Sequence, residues 1–360
     1  MGLQREQVMA ALQTVQDPEI FKDIVTLKMV KDVVIEGDHV IVHVELTTPA
    51  CPLKDTIEKD VDAALKKIGA RSTKIEFSAQ TRSAPASKQN PLPQVKNVVA
   101  VGAGKGGVGK STIAVNLAIG LRRAGAAVGI MDGDIYGPSM PTLLGIKGRQ
   151  PMVRDMGGAK KIIPFFVHGI HAMTIGSLVG EDQPLIWRGP MAHGAFKNLL
   201  LDHPHWPELD YLIVDLPPGT GDVPLTLCQL LPITGAVIVA TPQQVALDDA
   251  VRAVKMFQQL QAPVLGIVEN MSYFIAPDGS EHDIFGRGGA ELCAQRLGLP
   301  FLGAIPMLTE LRVHSDAGLP EANYESDPRL RDALEHMVRA TAGQVSKRNL
   351  TDPAPELTIS

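Results

Sequence analysis

The stretch Val98-Val99-Ala100-Val101-Gly102-Ala103-Gly104-Lys105-Gly106-Gly107-Val108-Gly109-Lys110-Ser111-Thr112 constrains this chain more than any other. A short apolar run ends in a cluster of glycines, and apolar residues then recur at Ile113, Val115, Leu117, Ala118 and Leu121. The first pattern predicts a buried strand, the second a helix, and the glycines the loop between them. Within it, Gly104 to Ser111 fits G-x-x-x-x-G-K-[ST], the phosphate-binding loop. Glycines let successive backbone N–H groups turn inward around a polyphosphate. The helix N-terminus adds a partial positive charge. Lys110 is placed to reach the β- and γ-phosphates, and the Ser111 hydroxyl to ligate Mg²⁺. The same residues contain Gly102-x-Gly104-x-x-Gly107, a dinucleotide-type pattern. The Gly-Lys-Ser-Thr ending decides for a nucleoside triphosphate, because a pyrophosphate-binding turn needs no lysine there.

A length of 360 residues suggests about two domains, and a composition 45% hydrophobic and 20% charged supplies an ample core. The net charge of −5 offers no electrostatic footprint for nucleic acid or an anionic membrane, so neither is expected as a partner. No apolar run is long enough for a membrane-spanning helix. Met1-Gly2-Leu3-Gln4-Arg5-Glu6-Gln7 has no apolar signal core, and the expected compartment is the cytoplasm. Cys51, Cys228 and Cys293 are too scattered for a disulfide framework or a zinc cluster.

Residues 1–82 predict a small α-β-β-α-β domain. Residues 3–16 fit an amphipathic helix through Val8, Leu12 and Val15, which Asp17-Pro18-Glu19 breaks. Residues 30–35 are strand-like and Glu36-Gly37-Asp38 turns the chain. Val40, Val42, Val44 and Leu46 then alternate with Ile41, His43 and Glu45 as a half-buried strand. Leu53, Ile57, Val61, Leu65 and Ile68 form one helix face, and Ile75 with Phe77 marks a last strand. Residues 83–94 are small, polar and proline-rich, a linker. Residues 95–345 form a second domain, in which strand and helix patterns alternate from 97 to 305, which predicts a mostly parallel sheet with helices on both faces. The segment 150–175 reads as an inserted antiparallel excursion, residues 328–343 as a final helix, and 346–360 as a polar tail without a membrane-docking face.

Two further strands end in acids. Val128-Gly129-Ile130-Met131-Asp132-Gly133-Asp134 delivers two carboxylates to the edge where ligands of parallel sheets sit. Tyr211-Leu212-Ile213-Val214-Asp215 delivers a third beside the phosphate loop, the position that holds Mg²⁺ in such NTPases. His203-Pro204-His205 reads as a solvated loop, and Cys228 and Cys293 as core residues of helices.

The second loop lysine, Lys105, resembles the deviant phosphate loop of the MinD/ParA/nitrogenase-iron-protein class. That resemblance implies a homodimer in which Lys105 reaches the partner's nucleotide. Asp132-Gly133-Asp134-Ile135-Tyr136-Gly137-Pro138-Ser139 and Trp187-Arg188-Gly189-Pro190-Met191 look like the Mrp/ApbC iron–sulfur carrier ATPases. The family resemblance implies that Asp134 orients the attacking water and Asp132 supports the Mg²⁺ shell. It further implies that Gly219, in Pro217-Pro218-Gly219-Thr220-Gly221-Asp222, offers its N–H to the γ-phosphate, and that Asn270 bonds the adenine. Arg188 fits a contact to a partner subunit or a surface ion pair. Leu46-Thr47-Thr48-Pro49-Ala50-Cys51-Pro52-Leu53, with Asp17-Pro18-Glu19, resembles the small domain of iron–sulfur assembly proteins related to PaaD. Cys51 precedes a helix start, where the dipole favours a thiolate able to ligate iron. A small buried cysteine at a tight turn fits the same pattern.

One family feature is missing. Many Mrp proteins carry Cys-x-x-Cys after the Asn-Met-Ser segment, two pairs bridging a [4Fe–4S] cluster across a dimer. Here those positions are Ala276 and Gly279. A cluster held by Cys51 with outside ligands, transfer of clusters held by a partner, and a switch that never touches iron all remain open. The two expected functions are an ATP-dependent carrier delivering clusters to apoproteins with assembly factors, and a MinD/ParA-type ATPase that recruits assembly partners. Both are slow Mg²⁺-dependent ATPases in this reading.

Overall fold

The structure, a computed structural model, describes residues 3–17, 22–50, 54–79, 81, 83, 91–134, 137–177 and 204–351. The chain forms two compact units, Met1–Arg82 with Ala342–Pro353, and Ser83–Thr341. Cys51, Pro18, Glu19, most of the predicted linker, Ile135, Tyr136, residues 187–191, His203 and the tail beyond Thr351 lie outside the described residues.

In the first unit, α1 (Arg5–Leu12) is followed by a short antiparallel pair, β1 (Gln16–Asp17) and β2 (Lys22–Asp23). β3 (Val30–Glu36) and β4 (His39–Leu46) then form an antiparallel hairpin. α2 (Lys54–Lys67) crosses over so that β5 (Ser72–Ala79) lies parallel to β4. The period-2 pattern of β4 holds: Val40, Val42, Val44 and Leu46 are buried. They meet Ile57, Val61 and Leu65 of α2 and Val8 and Leu12 of α1 in one core. Ile75 and Phe77 are only half-buried.

The second unit is built on β6 (Val95–Gly102), α3 (Lys110–Arg123), β7 (Val128–Asp132) and the short α4 (Met140–Leu143). There follow β8 (Met152–Met156), β9 (Ala159–Ile163), β10 (Phe165–Val167) and β11 (Ile170–Thr174). β12 (Leu209–Asp215), α5 (Asp222–Leu230), β13 (Ile233–Ala240), α6 (Gln244–Gln259) and β14 (Val264–Ile275) continue the alternation. β15 (Glu281–His282), α7 (Gly289–Leu297), β16 (Phe301–Met307) and α8 (Thr309–Asp316) complete it, with α9 (Pro328–Thr351), whose residues from Ala342 belong to the first unit.

The main sheet runs β10-β11-β7-β12-β6-β13-β14-β15, with β16 also on β14. All its pairings are parallel except those of the edge strands β10 and β15. From β6 the chain moves first to one side, towards β7 and β12, and then to the other, towards β13 and β14. Right-handed crossovers in opposite directions place helices on both faces and open a crevice at the carboxyl end of β6. The register aligns what lines that crevice: Asp215 sits opposite Val101 on one side and Asp132 on the other, and Asp132 opposite Thr174.

α3 is buried nearly all round, through Ile113, Ala114, Val115, Leu117, Ala118, Ile119 and Leu121. Its anchoring is tertiary rather than a matter of one amphipathic stripe.

Two expectations are corrected. The 150–175 segment is not wholly an excursion: β8 and β9 form a separate two-stranded sheet, but β11 joins the main sheet parallel to β7. Its buried Ile170, Ala172 and Met173 make it a core strand. The last helix does not stop near residue 343 but runs to Thr351, with Val345, Ser346 and Asn349 buried. The Ser346 hydroxyl donates to Thr47, a partner that local polarity does not reveal.

Candidate functional site

The phosphate loop owes its shape to three glycines. Gly107 and Gly109 have φ of +80° and +79°, the left-handed region that favours glycine. At Gly104 the constraint is contact: a Cβ there would lie 2.1 Å from the Asp249 carbonyl oxygen of α6. Lys110 and Ser111 open α3 directly behind the loop, with their side chains at the carboxyl edge of the sheet.

There the predicted residues converge. Lys110 Nζ donates to Asp215 Oδ1 at 2.6 Å and lies 3.8 Å from Asp134 Oδ2. The Ser111 hydroxyl donates to the other oxygen of Asp215, also at 2.6 Å. Asp132 accepts from the Thr174 hydroxyl at 2.9 Å and from the Asp134 N–H at 3.1 Å. Burial, then the neighbouring charge of Asp215, pushes the Asp132 carboxyl up to about 7. Burial also raises Asp215, opposed by Lys110 and Ser111. Two carboxyl groups, Asp215 and Asp134, thus face one ammonium, and a third, Asp132, lies opposite Asp215 on the neighbouring strand, an excess of acid that a divalent cation would offset. The donors are oxygens, which suits Mg²⁺. Among the described residues no group of three or more His, Cys, Asp or Glu is arranged to hold a metal ion.

The remaining loop residues are placed as follows. Lys105 is half-buried, and Val108 is buried. Gly106 faces Pro218, and Thr112 accepts at its carbonyl from Asn116 Nδ2 at 2.8 Å. The Gly219 N–H donates to the Ala103 carbonyl at 2.9 Å, so the loop after β12 rests against the phosphate loop. Asn270 Nδ2 donates to the Val108 carbonyl at 2.8 Å, bringing β14 onto the back of the loop.

The sulfur chemistry is sparse. Cys51 lies outside the described residues. Cys228 packs half-buried against the main core, and burial pushes its thiol up to about 12. Cys293 is buried in α7 and its thiol is likewise raised by burial. Neither has the depressed pKa of a thiolate ligand. Ala276 and Gly279 lie in the turn joining β14 to β15, closed by a Gly279 N–H bond to the Ala276 carbonyl at 2.8 Å. His205 is exposed, while Arg188 lies outside the described residues.

Sequence reasoning missed Thr174, Asp249 and Glu269. Thr174 and Asp249 meet the site only through tertiary pairing and carry no local signal. Glu269 had one: an acid directly ending the apolar run Val264-Leu265-Gly266-Ile267-Val268.

A family model described as NUBPL iron-transfer P-loop NTPase, of the ParA type, matches residues 94–342. This chain belongs to that family. Residues 5–77 of the iron-transfer P-loop NTPase match a second model, described as iron–sulfur cluster assembly protein. A curated relative from Deinococcus radiodurans, named iron–sulfur cluster carrier protein, is 48% identical over 98% of this chain and 99% of its own. Among solved structures, a nucleotide-binding protein in complex with ADP from Archaeoglobus fulgidus is similar. It shows a TM-score of 0.57 at 38% identity, covering 66% of this chain and 91% of that one. The Pyrococcus furiosus cell division ATPase MinD shares the fold, with a TM-score of 0.51 at 20% identity over 68% of this chain and 97% of its own. Among the described residues, no helix of this iron-transfer NTPase is long and apolar enough to cross a membrane.

Proposed function

We propose that this protein is an ATP-dependent iron–sulfur cluster carrier that delivers clusters to apoproteins as a homodimer. The observation that carries the reading is the Lys110–Asp215–Ser111 constellation, in a chain whose residues 5–77 match an assembly-protein model. Bound ATP gives Lys110 a new partner: its ammonium leaves Asp215 for the β- and γ-phosphates. The Ser111 hydroxyl and Asp215 are then free to hold Mg²⁺, which neutralises charge on the phosphate oxygens. Asp134, beside Lys110, accepts a hydrogen bond from water in line with the γ-phosphorus. Attack forms the new P–O bond and breaks the one to ADP, and the water's proton, held by Asp134, passes to the released phosphate. Gly219 exchanges the Ala103 carbonyl for the γ-phosphate, so the segment Pro217–Asp222 acts as a switch that moves with the nucleotide. Lys105 supplies a second cation at the partner's phosphates. Turnover is slow until a client or partner triggers it.

The second reading is a switch ATPase that recruits assembly partners and binds no cluster. The high thiol pKa of Cys228 and Cys293, with Ala276 and Gly279 at the hairpin turn, favours it. Anaerobic reconstitution with iron and sulfide, followed by metal counting and transfer to an apo-ferredoxin, separates the two. A carrier yields a chelator-sensitive cluster that activates the acceptor. Absence of bound iron in the dimer moves the assignment to the switch.

A further inference from the structure

Behind the phosphate loop lies a buried group of side chains that the catalytic steps above do not use. β14 carries Glu269, Asn270, Met271 and Ser272 in succession, and the first, second and fourth are buried. In a regular strand, residues three apart point to opposite faces and their side chains cannot meet. Here the Ser272 hydroxyl donates to Glu269 Oε1 at 2.5 Å. Met271 makes that contact possible. Its φ of +54° is left-handed, uncommon for a residue with a Cβ, and the pairing of β14 with β16 shifts register between Asn270 and Phe274. Glu269 ties this kink to α7: Oε1 also accepts from the Gly288 N–H at 2.9 Å, and Oε2 from the Ala290 N–H at 2.7 Å. These three donors occupy both side-chain oxygens at the positive end of the helix.

At the kink, Asn270 projects onto the phosphate loop and donates to the Val108 carbonyl. The approach is so close that a Cβ on Gly109 would lie 2.1 Å from Asn270 Nδ2. Val108 and Gly109 immediately precede Lys110 and Ser111, so whatever fixes Asn270 fixes the point where the loop enters α3.

We propose that Glu269 is a positioning residue for the nucleotide site. By holding Met271 in its left-handed turn it aims Asn270 at the Val108 carbonyl, and so pre-orders the loop that receives the phosphates. The proposal deepens the ATP reading of this site and rests on it. Pre-ordering lowers the entropy lost when the nucleotide binds, so the effect belongs to affinity before it belongs to the chemical step.

A double-mutant cycle tests this, read by titration of the full chain with a fluorescent non-hydrolysable ATP analogue and Mg²⁺. Glu269→Gln replaces one accepting oxygen with a donating amide, and we expect about tenfold weaker binding. Ser272→Ala removes one of the three donors and keeps the proposal testable should the first variant fail to fold. It should weaken binding about threefold. In an Asn270→Ala background both substitutions should change affinity less than about twofold, because the residue they position is gone. Thermal midpoints of the Glu269→Gln proteins report the weakened cap of α7, which is the same in both backgrounds. Equal affinity losses in the two backgrounds, or no loss in either, would overturn the positioning role while leaving the ATP site intact. A wild-type protein that does not bind the analogue would overturn both.

Discussion

Lys110 is the residue on which the proposed function turns, because in that reading it exchanges the Asp215 carboxylate for phosphates. Lys110→Ala should abolish ATP turnover, measured as phosphate release, and an unchanged rate would refute the site assignment. Removing one partner of a buried pair also costs about 3–5 kcal/mol, so denaturant unfolding of the nucleotide-free variant should show a clear loss. Asp132 yields a pH prediction. Its carboxyl stands at about 7 in the folded protein against an ordinary 3.8. Between those values the folded chain holds a proton that the unfolded chain has released, so its contribution to stability falls as pH rises from 4 to 7. The thermal midpoint of the protein free of nucleotide and metal should decline across that window, and Asp132→Asn should flatten the decline. Parallel curves would remove Asp132 as the cause. These residues were legible in the sequence because a phosphate loop and strand-terminal acids declare themselves within a few positions. Thr174 and Asp249 were not: each reaches the site through a neighbour far away in the chain.

At the level of elements, α6 shapes the loop as much as the loop's own residues do. Gly104→Ala would drive a methyl group into the Asp249 carbonyl, whereas at Gly107 a Cβ meets nothing within 4 Å. Gly107→Ala carries only the strain of its left-handed φ, about 1–2 kcal/mol. The expected outcome is a large loss of nucleotide affinity and stability for Gly104→Ala, beyond about tenfold, and a smaller one for Gly107→Ala. The reverse order, in paired titration and unfolding experiments, would show that conformation rather than contact sets the loop. The alternation of strand and helix could be read from periodicity alone. The assignment of β11 to the main sheet could not, since an apolar run does not say which strand it pairs with. Nor could the last turns of α9, whose polar residues are ordered by burial and by Thr47 rather than by propensity.

For the whole molecule, the predictions concern partners. If Lys105 acts across a dimer, a non-hydrolysable ATP analogue should shift the wild type to a dimer in sedimentation, and Lys105→Ala should weaken that shift and slow hydrolysis. A monomer in every condition with equal rates would sink the dimer. Any cluster should be labile and depend on Cys51, since the other two thiols are held protonated by burial. Cys51→Ala should lose reconstituted iron while the Cys228→Ala/Cys293→Ala double variant keeps it. A full cluster on Cys51→Ala would refute the ligand role.

The strand order has a consequence for how the molecule comes into being. β6 carries the phosphate loop, yet its two neighbours are made much later: Val101 waits for Asp215 on one side and Val237 on the other, 114 and 136 residues downstream. At a synthesis rate of about 5–20 residues per second, that is on the order of 6–23 seconds on the ribosome before the apolar strand has its first neighbour. ATP cannot assist the nascent chain through this interval, because the carboxylate that answers Lys110 has yet to be translated. The strands of the first unit all pair within residues 16–79, so its sheets have no such delay, although its segment Ala342–Pro353 is made last. The nucleotide site is therefore a product of late folding, and its strand β6 is where a chaperone would be needed first.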